Sequence, residues 1–164
     1  LLVTHDAEEA IGVGDRIHAM QDGQVVQSGT PAELYRAPAN PFVAGYFGPV
    51  SRYRGKVAHG AVATPVGTAP APGLAEGTSV EIVVRPEALT VRAGGADGGL
   101  RARLLTRRDL GPVQLLGLRL ADGSSIRIRQ AGPVAAEIGQ EVPLALDLRQ
   151  LYLFPDQPEP AAVA

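Results

Sequence analysis

The sequence contains no cysteine among its 164 residues, which excludes disulfides and thiolate-held metal sites and suits a reducing compartment. Aromatic residues make up only 4%, against 45% hydrophobic residues overall, so a core must be built from valine, leucine, isoleucine and alanine. No apolar run approaches the ~18 residues of a membrane-spanning helix, and no stretch reads as a signal peptide. Work at a membrane would therefore go through a partner. The net charge of −2 gives no global pull toward nucleic acid or anionic lipid. Also missing are a glycine-rich loop ending in Lys-Ser or Lys-Thr and an apolar strand ending in Asp-Glu, so the chain by itself should not hydrolyse a nucleotide. No nucleophile–base pair or paired carboxylates suggest another enzyme. His18 and His59 show no metal spacing and read as structural or solvent-facing; no metal site is expected.

What is present falls into two textures. Residues 1–50 carry two arginines against six acids, whereas residues 51–164 carry thirteen bases, of which only Lys56 is a lysine, against eleven acids. The opening "LLVTHDAEEA" reads as the end of a buried strand, Leu1–Val3, followed at once by Thr4 and His5 and then by a helix. Asp6 with Glu9 has capping-box spacing, and "AEEAIGVG" predicts a short helix closed near Gly12 or Gly14. Polar residues between a strand end and a helix start are where α/β proteins handle ligands, so the chain reads as cut from a larger protein beside a functional site. "DRIHAM" and "QVVQSG" predict two strands joined by Asp22-Gly23 in a hairpin turn. "TPAELYR" and "NPFVAGYFG" predict helices capped by Thr30 and Asn40, each with proline at the first helical position. The second places Phe42, Val43, Tyr46 and Phe47 on one face.

From about residue 50 the signals turn to β. "SVEIVV" (79–84) is a strand, and Arg85-Pro86-Glu87 reads as the turn that ends it. The clearest hairpin alternates Leu116, Leu118 and Leu120 with Gly117 and Arg119, turns at Asp122-Gly123, and alternates Ile126 and Ile128 with Arg127 and Arg129. "EVPLALDLRQLYLFP" continues the alternation through Val142, Leu144, Leu146 and Leu148, and Tyr152 and Phe154 near its end read as packing residues. "TAPAPG" and "AGGADGG" read as loops, and residues 157–164 as a disordered tail. The expected fold is mainly β: a small OB-like barrel or sandwich over residues 49–156, preceded by an α/β portion over residues 1–48.

Two features could carry chemistry. His5 offers a neutral imidazole that donates from one nitrogen to an anionic oxygen, on a platform fixed by a strand end. Arg119, Arg127 and Arg129 share one face of the hairpin, with Arg101, Arg103, Arg107 and Arg108 near in sequence. They read either as a solvated sheet face or as a surface for an anion or a partner. A single-strand nucleic-acid site would want exposed aromatics, which the region hardly offers.

The stretch "VTHDAEEAIGVGDRIHAMQDGQVVQSGTPAELYRAPANPFVAGYFG" resembles the end of an ABC-transporter ATP-binding subunit. The elements that carry the likeness are the switch-loop "THD", the "EEA" helix, "DRI", "DGQ", "QSGTPAELY" and "ANPFVA". "VVRPEAL", the arginine-faced hairpin and "LALDLRQLYLFP" resemble, in order, the transport-associated OB-like (TOBE) domain of importer ATPases. The resemblance implies that His5 is the switch histidine, contacting the γ-phosphate of ATP at a dimer interface. It implies ATP and Mg in an intact subunit whose phosphate loop, Q-loop, signature motif and catalytic glutamate precede residue 1, with no cofactor for these residues alone. It further implies a second copy as homodimer partner, membrane permease subunits, a possible small-molecule regulator of the β domain, and a peripheral position on the cytoplasmic face of the membrane. Nucleic acid is not implied. The solute would be of the ferric iron or polyamine type. The rival reading of the same residues is a free-standing OB-like domain that binds a small anion or solute.

Overall fold

The computed structural model describes residues 1–92 and 99–156. Strand accounts for 47% of the described residues and helix for 17%, so the fold is mainly β, as expected. It divides into two compact units, Leu1–Val50 and Ser51–Ala164.

The first unit is built from strong local signals. Helix α1 (Ala7–Val13) begins where the Asp6 carboxylate accepts the backbone N–H groups of Glu8 and Glu9, at 2.8 and 3.1 Å. The reciprocal half of the box is not made between Asp6 and Glu9. Instead the Thr4 hydroxyl accepts the Asp6 N–H and donates to the Glu9 carboxylate, inserting itself into the cap. Strands β1 (Ile17–Gln21) and β2 (Gln24–Gly29) pair antiparallel. Asp22 and Gly23, both at positive φ (51° and 77°), make the turn whose twist suits a two-residue hairpin. Helices α2 (Pro31–Arg36) and α3 (Pro41–Tyr46) start at Thr30 and Asn40. Their apolar sides close a small core of Ala19, Leu34, Val43 and Phe47, with Phe42 and Tyr46 packed against it.

At Thr30 the box is complete. Its hydroxyl accepts the Glu33 N–H at 3.3 Å, and the Glu33 carboxylate accepts the Thr30 N–H at 2.8 Å, which holds that carboxyl below its ordinary pKa. Thr30→Ala is expected to remove about 1 kcal/mol of stability. Calorimetry checks this, and an unchanged melting temperature would show the cap to be idle.

One expectation fails here. Leu1, Leu2 and Val3 form no strand, and their side chains are exposed, Leu1 and Val3 almost fully. An apolar triplet becomes a buried strand only when neighbours supply ladder bonds and cover. No strand of the described residues pairs with it.

The second unit holds two five-stranded antiparallel sheets. One runs β12 (Leu151–Pro155), β6 (Ser79–Val84), β3 (Ser51–Ala58), β4 (Ala61–Thr64), β5 (Gly67–Pro70). The other runs β10 (Ser125–Ala131), β9 (Val113–Leu120), β8 (Arg101–Asp109), β11 (Glu141–Leu146), β7 (Leu89–Val91). Both contribute to one core, in which Val57, Val62, Ile82 and Val84 of the first sheet join Leu104, Leu118, Ile128 and Leu144 of the second. Every buried member of that core is Val, Ala, Ile or Leu, the answer to an aromatic-poor composition. The β9–β10 register, Leu118 opposite Ile126 and Leu116 opposite Ile128, puts the apolar set inside and the arginines outside.

Two loop-and-strand readings are corrected. "TAPAPG" is not wholly a loop, because Thr68, Ala69 and Pro70 belong to β5, with Ala69 opposite Val62 and buried. β5 is an edge strand, where proline's missing N–H costs little. Conversely, the alternation through residues 141–155 is broken. The Asp147 side chain captures the Arg149 N–H at 3.0 Å and forks onto its guanidinium, and a 3-10 turn over Leu148–Gln150 leaves Leu148 exposed. A carboxylate that bonds its own backbone two residues on competes with the ladder. Residues 93–98 of the "AGGADGG" loop and the tail at 157–164 lie outside the described residues.

Candidate functional site

His5 lies in a bend immediately before the α1 cap, exposed. The Thr4 hydroxyl and the Asp6 carboxylate on either side of it are committed to fixing the helix start. That leaves the imidazole as the polar side chain of "THD" that is not part of the cap. Asp6 therefore has the structural role, and Glu8 and Glu9 occupy the first turn, where the helix dipole favours acids. The described residues bring no second ionisable pair to His5 that would make a self-sufficient catalytic centre. His18 and His59 stand elsewhere. His18 Nδ1 is 2.7 Å from the Ser28 hydroxyl across the hairpin, and His59 sits at φ 55° in the β3–β4 turn. Among the described residues no three His, Asp or Glu gather in a way that could hold a metal ion.

The arginines predicted to share a face do so. Arg119 lies between Ser125 of β10 and Arg103 of β8, so two guanidiniums stand on directly opposed positions. Arg127 is opposite Gly117, and Arg129 is opposite Leu115, which in turn is opposite Arg108. This second alignment exists because the β8 ladder shifts register between Leu104 and Thr106. The bulge brings Thr106 opposite Gly117 and turns Arg108 to the arginine face. A Cβ on Gly117 would fall on the Thr106 hydroxyl, which keeps the centre of the face low. The same shift sends Arg107 the other way. Its guanidinium donates to the carbonyls of Val134 and Ala136, at 3.2 and 3.1 Å, and walls an open depression of about 380 Å³ with Glu137 and Gln140. Arg101 pairs with Glu141 at 3.5 Å, an exposed contact that contributes little. At the hairpin turn, the Asp122 carboxylate takes the Ser124 hydroxyl and N–H, which lowers its pKa.

Arg85 is the residue that sequence reasoning missed. It is fully buried, with its guanidinium 5.9 Å from the centre of the Tyr152 ring, and it joins the end of β6 to β12. The ring of Phe154 stacks beside that of Tyr152, with centroids 6.3 Å apart, as expected of packing residues. The signal at hand was an arginine placed directly between a buried strand and a proline, where a merely solvated side chain has no reason to sit.

Residues 82–154, inside the second unit, match the TOBE domain family. The second unit thus contains a transport-associated β domain. Three curated relatives extend the likeness over both units. The sulfate/thiosulfate import ATP-binding protein CysA 1 of Chromobacterium violaceum is 37% identical over 97% of this chain and 46% of its own length. The spermidine/putrescine import ATP-binding protein PotA 1 of Pseudomonas aeruginosa is 36% identical over 79% of this chain and 37% of its own. The Fe(3+) ions import ATP-binding protein FbpC of Streptomyces coelicolor is 35% identical over 94% and 44%. The chain belongs with the ATP-binding subunits of ABC importers and matches their C-terminal region. It spans about half the length of the curated relatives it matches. Among solved structures, the cytoplasmic molybdate-binding protein ModG with molybdate bound aligns over 63% of this chain and 94% of that chain, at TM-score 0.49 and 15% identity, a likeness too slight to bear on function. No helix among the described residues is long and apolar enough to cross a membrane.

Proposed function

We propose that this chain is the C-terminal regulatory and dimerisation portion of an importer ATPase subunit, the intact subunit coupling ATP hydrolysis to solute uptake. The observation that carries the reading is the continuity of the likeness. Relatives named as import ATP-binding proteins align through residues of both units rather than through the TOBE domain alone. In this reading His5 is the switch histidine. The Thr4–Asp6–Glu9 network holds the start of α1, and a ring N–H of the neighbouring imidazole donates to a γ-phosphoryl oxygen of ATP when two subunits close. The phosphate loop and magnesium ligands belong to the rest of the subunit. The subunit works with a second copy and with permease subunits, peripherally, on the cytoplasmic face of the membrane, and the β unit is where a small-molecule regulator would act. Relatives named for ferric iron and for spermidine/putrescine fit the solute type favoured from sequence, but others are named for sulfate/thiosulfate and for sn-glycerol-3-phosphate.

The test compares two proteins: residues 1–164 alone, and the product of the full gene that encodes them. The longer protein is expected to hydrolyse ATP with saturation kinetics and the shorter to show no turnover. Turnover by residues 1–164 alone, or a preceding segment without a phosphate loop, would overturn the proposal.

A further inference from the structure

The face of β8, β9 and β10 that points away from the core carries Arg103, Arg108, Arg119, Arg127 and Arg129, all exposed, and no acid. At its margin Glu141 of β11 stands opposite Arg103 in the ladder and pairs with Arg101 at 3.5 Å. Among the described residues no carboxylate is paired with the other five. Like charges directly across a ladder, here Arg103 and Arg119, weaken that pair, and Glu141 on the other side of Arg103 is engaged by Arg101. A merely solvated face would alternate signs or neutral residues at these positions. This one concentrates a single sign around a low centre formed by Gly117 and Thr106.

We propose that this face docks an acidic polypeptide segment of another protein, one that presents carboxylates at alternate residues. The spacing fits. Side chains two apart on a strand, such as Arg127 and Arg129, are about 7 Å apart, and opposed strands are about 5 Å apart. A guanidinium fork matches a carboxylate through two parallel hydrogen bonds. Five cations spread over three strands exceed what one small anion can engage. The outward positions of these strands hold no aromatic ring on which bases could stack, which disfavours single-stranded nucleic acid. Leu115 is the one large apolar side chain exposed among them, too little for insertion into a lipid surface. The remaining rival is a second copy, because residues 1–50 carry six acids against two arginines. The inference is independent of the transport reading.

The experiment uses the whole chain at low ionic strength with a fluorescent ten-residue peptide alternating glutamate and threonine, read by anisotropy. The native chain is expected to bind it and to ignore the same peptide with glutamine for glutamate. Arg119→Glu/Arg127→Glu is expected to weaken binding at least tenfold. Arg54→Glu/Lys56→Glu, which makes the same charge change at exposed positions of β3 in the other sheet, should alter it less than twofold. Circular dichroism confirms that both variants fold. Equal losses in the two variants, or no binding by the native chain, would overturn the proposal. So would phosphatidylglycerol vesicles or single-stranded DNA bound with the same dependence on the face. Self-association that Arg119→Glu/Arg127→Glu abolishes in sedimentation would assign the face to a second copy and overturn it equally.

Discussion

His5→Ala in the proposed intact subunit is expected to lower ATP turnover about 10²–10³-fold, the loss typical of removing one preorganised donor from a developing oxyanion. Nucleotide affinity is expected to change by only about threefold or less, because on the proposed reading most contacts to a nucleoside triphosphate come from outside these residues. The reasoning is positional. His5 stands one residue ahead of the cap of a helix whose start is fixed by three hydrogen bonds, from Asp6 N–H to Thr4 and from the Glu8 and Glu9 N–H groups to Asp6. A donor on so constrained a backbone needs little reorganisation when charge builds on the transferred phosphoryl group. His5→Gln, which can still donate, retains more turnover than His5→Ala. Steady-state ATPase kinetics beside an equilibrium nucleotide titration measure the two quantities separately. Equal turnover in the native and alanine proteins would remove His5 from the site.

Leu118→Ala lowers the stability of the β unit by about 2–5 kcal/mol, the range for a buried leucine whose cavity cannot collapse. Leu118 is completely buried in β9, opposite Leu104 on one side and Ile126 on the other, so its side chain is hemmed by both neighbouring strands. The core it enters has no aromatic ring among its buried members to swing into the space. For a unit of this size the melting temperature falls by roughly 10–20 °C. Thermal unfolding followed by circular dichroism checks the value. Leu115→Ala on the same strand, with its side chain on the outward face, serves as the comparison and shifts the transition little. A Leu118→Ala change of under about 1 kcal/mol would mean that the two sheets do not share one tight core.

The parts of this structure that were legible in advance are those whose cause lies within a few residues. Thr30 and Asn40 start helices because their side chains reach N–H groups three positions ahead. The β9–β10 hairpin follows from a period of two on both strands and from Asp122-Gly123 between them, and the arginine face follows with it. The resemblance to importer ATPases was likewise carried by contiguous stretches. The break at Asp147 was also local, yet the apolar alternation that runs across it concealed the competing side-chain hydrogen bond.

Sequence by itself determined the caps, the turns, the aliphatic composition of the core and the sidedness of its clearest hairpin, because each depends on neighbours along the chain. Tertiary structure alone decided that Arg103 faces Arg119 and that Arg85 is buried against Tyr152. Those outcomes depend on ladder partners and on a one-residue bulge. Registers between distant strands are set by the joint burial of a whole face, which no short stretch encodes.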